Sequence, residues 1–160
     1  MMPDPDQHER IVREATWLAP LAGLVASTLA VLIINEDILG DSEMMMLASG
    51  AIVGASVTMP LFWRLLVPVQ DGFGIVRSVI AGALSAIASS IVMWPLALFL
   101  LMGDGFDADV SFVGALWRGA GVSLYFAVLT NIFFGWITIP LGMLASVLVT
   151  LWARWQTNPA

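Results

Sequence analysis

The chain has 160 residues, of which 59% are hydrophobic and 11% charged, and it carries a formal charge of −6. So few solvated groups cannot coat a water-exposed globule, and six arginines with no lysine form no basic stripe for nucleic-acid phosphates. The lack of cysteine excludes disulfides, thiolate nucleophiles, iron–sulfur clusters and cysteine-ligated zinc within the chain.

The first fourteen residues are polar and read as the start of a helix. Asp6 is placed to cap, Glu9 three residues later to reach back, and the pairs Glu9 with Arg13 and Arg10 with Glu14 share one helical face. Glu14 is read as an interfacial residue paired to Arg10 in preference to a proton-binding carboxylate. Four carboxylates in this leader do not suit a secretory signal, so the segment is expected to be retained.

Four charge-free runs follow: Trp17 to Ile34, Met44 to Trp63, Ser78 to Met102 and Gly119 to Ala153. Each reaches or exceeds the roughly 18 apolar residues that cross about 30 Å of hydrocarbon as a helix. The expected fold is therefore an all-α integral membrane protein with four transmembrane helices, kinked at Pro60, Pro95 and Pro140, where a missing N–H frees a carbonyl one turn earlier. Pro20 falls in a first turn, where the loss is small. The last run, 35 residues or about 52 Å of helix, is long for one crossing; a break near Asn131 to Gly135 would make five spans. Ser111 to Trp117 is expected to lie along the outer interface, with Arg118 next to it. Residues 1–16 then form a cytoplasmic helix start, 17–153 a single transmembrane domain and 154–160 a cytoplasmic tail.

The arginines set the orientation. Arg10 and Arg13 precede the first span, Arg64 and Arg77 flank the turn Gln70-Asp71-Gly72-Phe73-Gly74, and Arg154 follows the last. The other two connections, Asn35 to Glu43 and Gly103 to Asp109, carry carboxylates and no basic residue. By the positive-inside bias both termini are cytoplasmic, in a cell membrane of the bacterial inner-membrane type; Arg118 is the exception. The acidic run Asp104 to Asp109 lacks the glycine and terminal glutamate of a calcium loop in any register and reads as a solvated turn.

Small residues recur at packing intervals: Ala22, Ala26 and Ala30; Gly50, Gly54 and Thr58; Gly82, Ala86 and Ser90; Gly142 and Ser146. Such stripes let helix backbones approach closely, since association in lipid depends on packing. Gly50, Gly54, Gly82, Ala86 and Ser90 are the candidate helix-packing residues. Leu47 to Trp63 and Ile80 to Ala97 are alike in small residues and a closing proline-leucine pair, a hint of an internal repeat. A candidate intramembrane polar site comprises Asn131, Thr130, Tyr125 and Arg64, with Thr138 nearby; Asn131 is expected to find its partner across a helix interface, and Arg64 to snorkel to headgroups with Asp71 as a partner.

The interior offers little chemistry. His8 is the sole histidine and sits in the polar leader, so no imidazole reaches the spans as a haem, chlorophyll or metal ligand or as a catalytic base. No catalytic residue, cofactor or metal site is expected. The function these residues favour is a non-catalytic integral membrane subunit packing against partner helices in a larger complex. The alternative is a small oligomeric permease or channel for an ion or small solute, whose acidic outer loops would enrich cations. Partners are the bilayer and other membrane subunits or further copies, and no nucleic acid.

Overall fold

The computed structural model describes residues 5–34, 42–69, 72–101 and 112–157. Four helices account for nearly all of them: α1 (Pro5–Ile34), α2 (Ser42–Leu66), α3 (Ile75–Leu101) and α4 (Phe112–Thr157), with two-residue strands β1 (Pro68–Val69) and β2 (Gly72–Phe73) between α2 and α3. All four are long and apolar enough to cross a membrane. Helix suits these runs because isolated backbone N–H and C=O groups in apolar surroundings must be satisfied within the segment.

α1 begins at Pro5, whose fixed φ suits a first turn, and Asp6 lies within that turn next to the helix's positive end. Arg10 Nε and Glu14 Oε1 pair at 3.1 Å on the exposed face. Where α2 returns to the end of the bundle at which α1 starts, Val67 N–H closes its last turn on the Trp63 carbonyl at 2.9 Å. Pro68 pairs with Phe73 and Val69 with Gly72, so the chain reverses tightly before α3, whose Ser78 N–H reaches the Gly74 carbonyl at 3.0 Å.

The extensive contacts are α1 with α2, α2 with α3, α3 with α4 and α1 with α4, a closed ring of neighbours. Ile11, Ala15 and Ala19 at the start of α1 pack with Met59, Trp63 and Val67 at the end of α2, Ala81 near the start of α3, and Ala145, Val149 and Ala153 toward the end of α4. Successive helices therefore run in opposite directions, an up-down-up-down bundle with its densest core at one end.

Most of the apolar surface points away from that core. In the candidate spans of α1, α2 and α3 only 28% of the apolar window is buried within the bundle, and in α4 only 22%. Leu21, Val25, Leu61, Leu65, Val76, Ile132, Phe133, Trp136, Leu144 and Leu148 all face outward.

The last apolar run does not divide. α4 is helical without interruption for 46 residues, about 69 Å, through Asn131 to Gly135 and through Pro140. The break that would have made five spans is absent. Residues 112–117 form the first turns of the same helix α4, in a run that contains no proline. The acidic connections at 35–41 and 103–109, and Asp71, lie outside the described residues.

Candidate functional site

The dense end is sealed by a chain of hydrogen bonds across three helices. Trp63 Nε1 of α2 donates to Thr150 Oγ1 of α4 at 3.0 Å, Thr150 donates to Ser78 Oγ of α3 at 2.9 Å, and Ser78 and Ser146 hydroxyls lie 3.1 Å apart. All four side chains are buried. An indole N–H in an apolar interior needs an acceptor, and the hydroxyls relay that demand among themselves until each is engaged. One level further along, Thr58 Oγ1 lies 2.9 Å from the Gly54 carbonyl and 3.0 Å from Ser85 Oγ, tying α2 to α3.

Beyond Met59 and Ala145 the four helices part around a half-open cavity of about 470 Å³. Its walls are Gly23 to Ile34 of α1, Ala48 to Met59 of α2, Ser85 to Trp94 of α3 and Thr130 to Ala145 of α4. The polar groups in those walls are already engaged. Ser27 donates to the Leu24 carbonyl at 3.0 Å, Ser89 to Ala86 at 2.7 Å and Thr138 to Phe134 at 3.2 Å; Ser85 is tied to Thr58, and Trp94 Nε1 donates to Thr130 Oγ1 at 2.8 Å. The cavity therefore offers van der Waals surface and almost no free hydrogen-bonding capacity.

Glycines decide where the helices touch. A Cβ on Gly82 of α3 would collide with the Gly142 carbonyl oxygen of α4, and one on Gly54 of α2 would stand 2.6 Å from the Ser89 carbonyl oxygen of α3. Gly50 faces Met93, whose Cγ would be 3.0 Å away. Ala86 meets Gly142 from the α3 side, while Ser90 spends its hydroxyl on the Ile87 carbonyl at 2.7 Å and also receives the Asn131 amide.

Of the polar candidates, Asn131 and Thr130 sit together on the α3 side of α4. Asn131 Nδ2 donates to Ser90 Oγ and, at 2.8 Å, to the Ala127 carbonyl. Thr130 accepts from Trp94, whose ring stacks on Phe126 with centroids 4.6 Å apart. Tyr125 does not join them: it points outward and meets Phe126 edge-on at 5.7 Å. Arg64 is exposed near the end of α2, away from the cavity. Buried without a partner among the described residues is Ser123 Oγ.

Two features escaped sequence reasoning. Gly23, which lies outside the Ala22, Ala26 and Ala30 stripe, makes a tight contact of α1 with α2, where a Cβ would stand 2.6 Å from the Ala55 carbonyl oxygen. The Trp63–Thr150–Ser78–Ser146 relay joins positions far apart in the chain. Trp63 ends a span and could have been flagged as an indole needing an acceptor, but nothing local names Thr150 as that acceptor.

Among the described residues no group of three His, Asp or Glu side chains is placed to hold a metal ion. No family model matches the chain, and neither the curated proteins nor the solved structures compared with it show a match.

Proposed function

We propose that the protein is a four-span integral membrane protein, bent at Pro60, Pro95 and Pro140, with both termini in the cytoplasm of a bacterial-type inner membrane, where it acts as a non-catalytic subunit packing against partner helices. The outward apolar surface supports the membrane placement: contiguous apolar area of this extent would drive association in water, whereas in lipid it is the solvated face.

The observation that carries the partner reading is Trp136. It lies near the middle of the candidate span Gly119–Thr157, is 73% exposed, and its indole has no hydrogen-bond partner among the described residues. Indoles gather at membrane interfaces because the ring is apolar and the N–H wants water or an acceptor. At the depth of the span's centre neither is supplied by lipid, so a carbonyl or hydroxyl on a neighbouring helix is the natural acceptor. Val128 and Ile132 extend the same outward stripe toward Tyr125, which gives that neighbour a continuous apolar seat.

The chain's lack of cysteine makes the test direct. With Ile132→Cys as the only thiol, a bifunctional cross-linker in native membranes should trap a different protein on this face, and Trp136→Phe should weaken the product. A cross-link only between identical chains, or none, would refute the subunit reading. The second reading, a small oligomeric permease or channel, gains no support from the apolar walls of the central cavity; it requires solute flux in liposomes that Asn131→Leu or Arg64→Gln alters.

A further inference from the structure

The central cavity and the groove beside it point to a lipid site. A second groove of about 380 Å³ runs along the outside of the α1/α4 seam, lined by apolar side chains such as Leu21, Leu144 and Trp152. Ala26 and Ala145 border both spaces, so the groove and the cavity adjoin at a seam of small side chains. The wall of α1 spans eleven steps from Gly23 to Ile34, about 16 Å, close to half of the roughly 30 Å hydrocarbon thickness and hence to one leaflet.

We propose that the acyl chain of a bilayer phospholipid enters through the α1/α4 seam and occupies the cavity, with its headgroup left outside. This rests on the membrane placement proposed above and not on the partner subunit. Size discriminates among occupants. A helix about 10 Å wide would need on the order of 1,200 Å³ over 16 Å, far more than the 470 Å³ present, so a partner helix or a second copy could place only side chains there. At roughly 30 Å³ per methylene, taken as similar to a water's share of liquid volume, the space holds on the order of 15 carbons, the length of one chain. Chemistry agrees with size. With Ser27, Ser85, Ser89, Thr138 and Trp94 all engaged within the protein, an ion or sugar entering the cavity would lose its hydration and find no replacement, whereas an alkyl chain asks only for contact.

The full chain, reconstituted in nanodiscs of a single diacyl phosphatidylglycerol and released into the gas phase, tests this by native mass spectrometry. The wild type should retain one phospholipid per chain. Ala51→Phe, which fills the cavity from α2, should reduce that population at least fivefold, while Val57→Phe on the outer face of the same helix should leave it unchanged. If Ala51→Phe does not assemble, Ala51→Leu is read by the same criterion. A wild type with no retained lipid, an Ala51 variant that retains as much as the wild type, or a protein dimer in place of the lipid adduct would each overturn the proposal. A chain that alkaline carbonate strips from the membrane overturns the placement itself, a failure distinct from these.

Discussion

Alanine at Gly82 should separate α3 from α4. The new Cβ would collide with the Gly142 carbonyl oxygen and stand 2.7 Å from both the Gly142 carbonyl carbon and Met143 Cα, all backbone atoms that no rotamer change can move. Carbon atoms in ordinary contact are about 3.5–4.0 Å apart, so the seam must open by about 1 Å, which forfeits a quarter to a half of the local dispersion energy. One turn away, the Ser78–Ser146 contact at 3.1 Å and the Thr150–Ser78 bond at 2.9 Å would lengthen past hydrogen-bonding distance. Overpacking of this kind costs about 1–3 kcal/mol, and each interhelical bond adds about 0.6 kcal/mol, so we expect a loss of about 2–4 kcal/mol. The control is the same substitution at Gly121, where a Cβ would meet nothing within 4 Å. There alanine should gain about 0.5–1 kcal/mol from helix propensity alone. Reversible unfolding by dodecyl sulfate from mild detergent micelles, followed by far-ultraviolet circular dichroism, measures both. If Gly82→Ala proves as stable as Gly121→Ala, the backbone approach of α3 and α4 described above is wrong.

Other substitutions follow from the same geometry. Thr150→Val strands the Trp63 indole in a buried site and should cost about 1–3 kcal/mol in that unfolding assay, whereas Thr150→Ser keeps the relay and should cost less. Combining Thr150→Val with Trp63→Phe should recover part of the loss, with a coupling of about 0.5–1.7 kcal/mol in a double-mutant cycle; strict additivity would argue against the bond. Asn131→Leu should lose about 1 kcal/mol and make the further change Ser90→Ala nearly silent, because both remove one α3/α4 tie. Arg10→Ala should shift stability by no more than about 0.5 kcal/mol, since its pair with Glu14 is solvent-exposed.

The charge-free runs announced the four helices because length and apolarity are local properties, readable residue by residue. The continuity of α4 was less legible. Arg118 suggested a boundary, yet a charged side chain near a helix start breaks no backbone bond, and 112–118 simply extend the helix. Glycine positions marked three of the helix contacts, at Gly50, Gly54 and Gly82, since a missing Cβ can only be useful where something comes close. The cavity was not legible: Ala48, Ala51 and Ala55 line it from α2, and nothing in a one-dimensional pattern says where facing helices diverge. Polarity alone grouped Tyr125 with Asn131, although six residues at about 100° each leave them about 120° apart around the helix, on different faces. The Trp63 relay was hidden because its members come from three helices, with up to 87 residues between bonded partners.

On the function proposed above, this chain works as one subunit among others. Gentle detergent extraction from native membranes, followed by sizing and mass spectrometry of whatever travels with the chain, tests it most directly. The expected result is recovery with foreign membrane subunits in fixed stoichiometry, a ratio that falls when Trp136 is replaced by Phe. Recovery as a homogeneous assembly of this chain alone, unchanged by that substitution, would contradict it.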